Sequence, residues 1–272
     1  MTFPSRFWAD LSTRDFAQLD PASTVAVLPV AATEQHGPHL PLSVDQAIVD
    51  GVIAASLPQL PPQLPVLFLP TQAVGYSPEH SAFAGTLTLS SATVAATWIE
   101  IGQCVAAAGV RKLLLLNAHG GQVSLTDIVA RELRTRARLI VYGCSWWNLP
   151  LGDAVTGLFS AQEHRFGVHA GEIETSMMLA LRPASVDMTQ ARDFKSASQE
   201  RAGKYPVLGN GSSAKLGWQM QDYNPQGAAG NAAAASAKKG RAVLDAAGRQ
   251  LALLLQELSA LPLATLVDAP AS

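Results

Sequence analysis

The chain has 272 residues, 48% hydrophobic and 15% charged, with a formal net charge of -2 and two cysteines. This balance excludes a disordered chain, leaves no electrostatic footprint for nucleic acid, and by count rules out a cysteine-ligated metal site. The length fits one large α/β domain or two small ones, and no apolar run approaches the roughly 18–20 residues of a membrane span.

The first 22 residues read as a surface lead-in with one short helix, Thr13 to Leu19, and lack the basic and apolar regions of an export signal. With Cys104 placed mid-helix and Cys144 at a strand end, a reduced, cytoplasmic protein is expected. Ser23 to Val30 is continuously apolar, as in a parallel strand buried on both faces. The loop after it carries Glu34, His36 and His39, and Asp45 follows Ser43, a candidate N-cap for a helix over 45–57. Glu34 and His36, two apart on extended backbone, point the same way. A Glu-x-His pair in a Gly/Pro-rich loop is more often solvated than metal-binding, so its weight depends on ligands at other strand ends.

A Pro-rich connector leads to a short strand, Val66 to Leu69, and then to a long loop rich in Gly, Pro and Ser. Loops of that length in compact domains are commonly functional, which makes Tyr76 and His80 candidate pocket residues. A helix capped by Ser90 or Ser91 runs to Ala108 and stops at Gly109. Lys112 to Leu116 is the clearest buried strand, and it ends directly in Asn117-Ala118-His119-Gly120-Gly121. Ligands in open α/β sheets sit outside the carboxyl ends of strands, where His119 falls. The two glycines lack the Lys-Ser/Thr of a phosphate-binding loop.

After a helix over 123–136, the strand Leu139 to Cys144 ends at Trp146 and Trp147, which suit either an aromatic substrate wall or a subunit contact. His169 then lies in a loop, with Glu172 and Glu174 in the next helix's first turn. Acidic residues there also complement the helix dipole, and two residues apart they face different directions, so only one reaches a metal. Residues 183–235 read as an irregular lid or contact arm, followed by a helix from Ala233 to Leu258 and a Pro/Ala-rich tail. No internal repeat or composition break marks a second domain, so residues 1–272 are taken as one unit.

Glu34, His36, Asp45, His119 and one glutamate of the 172–174 pair form a mixed imidazole and carboxylate set suited to Zn, Mn or Fe. This is more than one tetrahedral zinc needs and fits two ions about 3.5–4 Å apart, with Asp45 as the bridge. His169, outside the ligand set, is placed to protonate a departing nitrogen. The chemistry expected is hydrolysis.

The segments TEQHGPHLPLSVD, LLNAHGGQ and HAGEIETSMML resemble the signature segments of the creatininase (creatinine amidohydrolase) family, and the ASAKKG stretch of the last helix is similar too. The resemblance implies one three-layer α/β/α domain with a central, mainly parallel sheet, two divalent ions per chain and a homo-oligomer, often a hexamer. It carries the ligand role to Glu34, His36, Asp45, His119 and Glu174, and proton transfer to His169; Glu172 is assigned with His169 to catalysis. One departure stands out: Gly120 and Gly121 replace an aromatic residue and a ligand glutamate of creatininase proper. That argues against creatinine and leaves the second metal to draw its carboxylate from Glu174. The expected reaction is cleavage of a C–N bond in a small cyclic or linear amide. The alternative is a ring-opening hydrolase or lyase acting on a sugar-like cyclic ketone, with Asn210 and Asp222 binding hydroxyls. A non-catalytic, metal-stabilised subunit would leave His169 and the tryptophans without employment.

Overall fold

The computed structural model describes residues 3–267 and 269. In chain order its elements are α1 (Thr13–Phe16), β1 (Val25–Val30), α2 (Val44–Ser56), β2 (Val66–Phe68), α3 (Ser91–Ala107), β3 (Lys112–Asn117), α4 (Val123–Ala137), β4 (Ile140–Ser145), α5 (Asp153–Thr156), α6 (Ala161–Phe166), α7 (Glu172–Leu181), β5 (Asp193–Phe194), α8 (Ser198–Lys204), β6 (Gly230–Asn231) and α9 (Ala237–Ala260). The end of the expected Pro/Ala-rich tail lies outside the described residues.

The first four strands form one parallel sheet in the order β2-β1-β3-β4. Alternation along the central strands sends side chains to two separate cores. Val25, Val27, Leu114 and Leu116 pack with α2, α7 and α9, whereas Ala26, Leu28, Val30, Leu113 and Leu115 pack with α3 and α4. The result is the three-layer α/β/α arrangement, and burial on both faces explains why the strands read as unbroken apolar runs. Pro29, on the β2 side of β1, has no N–H to give, and the β1–β2 ladder ends before it at Val27 and Phe68.

Helix α9 lies close on its neighbours because Gly240 has no side chain: a Cβ there would stand 1.9 Å from the Ser176 carbonyl oxygen. It starts at Ala237 rather than Ala233 because the Ser236 hydroxyl accepts the Lys239 N–H. The alanines before it instead form a 3-10 turn, Ala232–Ala234; helix propensity alone does not fix a start. The expected helix Thr13 to Leu19 is shorter, ending at Phe16. The irregular segment 183–235 contains a two-stranded antiparallel pair, β5 with β6, and the short helix α8.

Candidate metal centre

The carboxyl ends of β1 and β3 lie in register, pairing Val30 with Asn117, and the polar cluster forms just beyond them. Asn117 shapes the turn after β3: its Oδ1 accepts the His119 N–H at 3.0 Å, and its Nδ2 donates to the His119 carbonyl at 2.8 Å and to Ser145 Oγ at 3.1 Å. That local turn aims the His119 ring back over the sheet end. Glu34 and His36 come from the β1–α2 loop, and Asp45 from the first turn of α2. Glu79 and His80 come from the 3-10 turn Pro78–His80. His169 precedes α7, and Glu174 is in its first turn. Ser43 holds the N-cap position of α2 but makes no side-chain cap bond.

Glu34 is at the middle. Its Oε1 lies 3.2 Å from His119 Nδ1, 3.5 Å from His80 Nε2, 3.7 Å from His169 Nδ1 and 4.0 Å from His36 Nε2. The Ser77 hydroxyl donates to its other oxygen. Asp45 divides its oxygens: Oδ1 is 3.3 Å from His36 Nε2 and Oδ2 is 3.4 Å from His119 Nδ1. Two triads, Glu34–Asp45–His119 and His36–Asp45–Glu174, each bring their ligand atoms within 4.8 Å of one another and share Asp45. Glu34–His36–His169 and Glu34–Glu79–His80 meet the same limit.

Hydrogen bonds at the back of each ring decide which nitrogen faces the cluster. His36 Nδ1 donates to the Glu34 carbonyl at 3.0 Å, His119 Nε2 to the Tyr76 carbonyl at 3.1 Å, and His169 Nε2 to the Gln35 carbonyl at 2.7 Å. A carbonyl only accepts, so those nitrogens carry the hydrogen and the opposite ones turn a lone pair inward. For His169 this short bond outweighs a 3.3 Å contact with the Gln35 amide nitrogen. His80 is reversed. Its Nδ1 accepts from Gln35 Nε2 at 2.7 Å, and that amide is oriented by the Gly37 N–H on Gln35 Oε1 at 2.9 Å. His80 therefore presents an N–H, not a lone pair.

The buried His36 Nε2 and Asp45 Oδ2 have no hydrogen-bond partner. Unsatisfied atoms of this kind, in an imidazole and carboxylate donor set, fit divalent cations. The charge pattern agrees. Burial works against protonating His36 and His119, yet Asp45 raises His36 to about 9, and Glu34 with Asp45 holds His119 well above its ordinary value. Burial raises the Glu34 carboxyl and takes Glu174 to about 7, whereas His119 and His36 pull Asp45 down to about 2 despite burial. The cluster demands positive charge at His36 Nε2 and His119 Nδ1. Burial and then His36 push His80 down to about 3 and His169 well below its usual value, so both are neutral.

A cavity of about 490 Å3 opens over the cluster, walled by Trp146, Trp147, Leu149, Val155, Phe159 and Trp218. His80, Trp146 and Trp147 line it, with Glu79 beside them. Tyr76 does not: its ring packs into the α3/α4 core, and only its carbonyl reaches the site. Glu172 is also corrected. Two positions from Glu174, about 200° around the helix, it pairs with the Lys239 ammonium instead. Glu172→Ala is expected to leave bound metal unchanged and to lower the melting temperature by only about 2–4 °C, the loss of roughly one partly exposed ion pair; metal analysis beside a thermal melt checks both. His39 stacks on Phe194 and bonds Thr175 Oγ1 at 3.0 Å, outside the cluster. Asn210 and Asp222 are exposed, bond within their own turns and do not line the cavity, which the same arm reaches through Trp218 instead. Sequence reasoning missed Glu79, Glu163 and the packing of Trp218 against His80, 6.1 Å between ring centres.

Fold and site together define an α/β protein with a candidate two-metal centre at the carboxyl end of a parallel sheet. The chain belongs to the creatininase family, whose profile, described as creatinine amidohydrolase, matches residues 9–255. It is 34% identical over 185 residues to the mycofactocin precursor peptide peptidase of Mycobacterium tuberculosis, a match covering 65% of this chain and 66% of that protein, just under two thirds of its length. It is 29% identical over 219 residues to the creatinine amidohydrolase of Pseudomonas putida, covering 75% and 82%. The structure of a creatininase variant described as Zn-Zn type is similar with a TM-score of 0.73 at 27% identity, over 93% of this chain and 98% of that one.

Proposed function

We propose that the chain is a dinuclear metal-dependent amidohydrolase that cleaves a C–N bond in a small cyclic or linear amide. The observation that carries this reading is the placement of Asp45, with one oxygen toward His36 and the other toward His119. Glu34, Asp45 and His119 would hold one ion, and His36, Asp45 and Glu174 the other; zinc, manganese and iron all suit these donors. The chemistry such ions supply is water acidified to a nucleophile at neutral pH and a polarised carbonyl.

The chain's own residues do the rest. His169 Nδ1 takes a proton near the cluster and returns it to the departing nitrogen. The tryptophans and Phe159 bind the apolar part of the substrate and limit water. The cavity has room for an amide carrying an apolar substituent, beyond a single small ring. The relatives' names, creatinine amidohydrolase and precursor peptide peptidase, both describe cleavage of a carbonyl carbon–nitrogen bond. The reading includes a cytoplasmic location and a homo-oligomer, the latter supported by exposed apolar residues such as Val207 and Leu208 on the arm. No helix among the described residues is long and apolar enough to cross a membrane.

The first test is metal analysis of the purified chain beside His119→Ala. About two transition-metal ions per chain are expected, falling to one or fewer in the variant, with turnover on an amide and lactam panel lost in parallel. One ion or fewer in the wild type, unchanged by the substitution, would remove the basis of the reading.

A further inference from the structure

We propose that Glu79 is a positioning residue for the metal centre: its carboxylate braces His119 from behind and holds the ring with Nδ1 toward the ions. The inference rests on the dinuclear reading above and adds a residue that reading does not use.

Glu79 sits in the 3-10 turn Pro78–His80 and is 6% exposed. Its Oε1 lies 3.1 Å from His119 Nε2, on the opposite side of the ring from the nitrogen that faces Glu34 and Asp45. The Nε2 hydrogen is aligned on the Tyr76 carbonyl, also at 3.1 Å, so two acceptors stand around one donor. Glu79 Oε1 has no aligned hydrogen bond of its own. A buried carboxylate oxygen in that state is costly unless positive charge lies close by. A cation on Nδ1 polarises the imidazole and makes Nε2–H a stronger donor, so the carboxylate and the ion stabilise each other through the ring. In metal sites such an outer acceptor fixes the tautomer and ring angle and raises ligand basicity.

Gly121 gives the second, independent observation. A Cβ built there would lie 1.7 Å from Glu79 Oε1 and 2.6 Å from its carboxyl carbon, whereas one on Gly120 would meet nothing within 4 Å. The carboxylate of Glu79 thus fills the space that any other residue at 121 would claim. The second glycine after His119 is a seat for a side chain arriving from a different loop, and the first is not.

The test uses the full chain with Zn2+ and Co2+ as probes, in wild type, Glu79→Gln and Glu79→Ala. Zinc affinity is read by chelator competition, stoichiometry at saturation, and ligand geometry by the visible spectrum of the cobalt-loaded protein. Both variants are expected to keep the wild-type stoichiometry at saturation. Glu79→Ala should bind one of the ions about 10–100-fold more weakly and shift the cobalt spectrum. Glu79→Gln, whose amide oxygen can keep the place of Oε1 beside Nε2–H, should lose less affinity and move the spectrum back toward wild type. Circular dichroism of the metal-free proteins checks folding; if the alanine variant misfolds, a measurable affinity loss in the near-isosteric Glu79→Gln decides the matter. Unchanged affinity and spectrum in Glu79→Ala would overturn the proposal. So would the loss of one whole ion in both variants, which would make Glu79 itself a ligand. A wild type that binds no metal would overturn this inference and the dinuclear reading together, whereas a metal-replete wild type with indifferent variants would overturn only this one.

Discussion

In Asp45→Asn, bound metal is expected to fall below one ion per chain, and turnover to drop by about 10³-fold or more, the several kcal/mol of metal assistance at about 1.4 kcal/mol per decade. The cause is geometric. Asparagine keeps the shape but offers one acceptor and one NH2 group, so either His36 Nε2 or His119 Nδ1 gains a donor where the aspartate gave an oxygen at 3.3 or 3.4 Å. Both triads share this residue, so both proposed ions would be weakened by one change. The metal-free fold should survive. Asp45 is one of the charges that raise the Glu34 and Glu174 carboxyls, and its removal relieves repulsion within the cluster. What is lost from Asp45 as an acidic residue in the first turn of α2 is about 0.3–1 kcal/mol. The melting temperature measured with chelator should therefore match wild type, whereas the increment on adding metal, which follows ligand linkage, should largely disappear. Full metal content in the variant would show that Asp45 is not the bridge.

The sheet and its main helices were legible because their signals are local. Leu113–Leu116 is an uninterrupted apolar run, Ser90 caps α3 by accepting the Thr93 N–H, and Gly109 stops the helix with φ 99. The cluster was legible for a related reason: Glu34, His36, Asp45, His119 and Glu174 all sit where a strand ends or a helix begins, and parallel α/β topology gathers such points on one edge. Glu79 and Trp218 were not legible, since they arrive from the long β2–α3 loop and from the arm, whose paths depend on packing and not on any sequence period. In that loop the expectation took Tyr76 and His80; the turn Pro78–His80 instead brings Glu79 in beside His80, while the Tyr76 ring goes to the opposite core. The choice between Glu172 and Glu174 required the direction of α7's axis over α9, which first-turn acidity does not encode. Lys239, 67 positions from Glu172, holds the glutamate that faces away, and the triad with His36 and Asp45 holds the other.

Glu163→Gln is expected to destabilise the chain by about 3–5 kcal/mol, as much as losing a large core side chain. Glu163 is 3% exposed and belongs to α6, yet its carboxylate serves a different helix. Oε1 accepts the Glu172 N–H at 2.6 Å, at the first residue of α7, and Oε2 accepts the Asn231 N–H of β6 at 2.9 Å. It is a charged N-cap supplied from outside the helix, where both the unsatisfied amides and the dipole favour an anion. Glycines surround it: a Cβ on Gly167, Gly171 or Gly230 would come within 2.4, 2.3 or 2.8 Å of its oxygens. Glutamine at 163 would set its NH2 against one of those N–H groups with no room to turn aside, leaving two buried donors unsatisfied. The consequence reaches the centre because α7 presents Glu174 in that same first turn. Ala170, held at φ 52, ties its N–H to Glu174 Oε2 at 2.5 Å, and His169 sits beside it. Loosening the start of α7 should therefore lower occupancy of the ion shared by His36, Asp45 and Glu174 before it affects the one at Glu34 and His119. A drop in melting temperature of about 10 °C, together with selective loss of one ion, is the expected signature. Equal loss of both ions would mean that Glu163 supports the fold as a whole and not the Glu174 side of the site, and an unchanged melt would mean that the α7 terminus is satisfied by other groups.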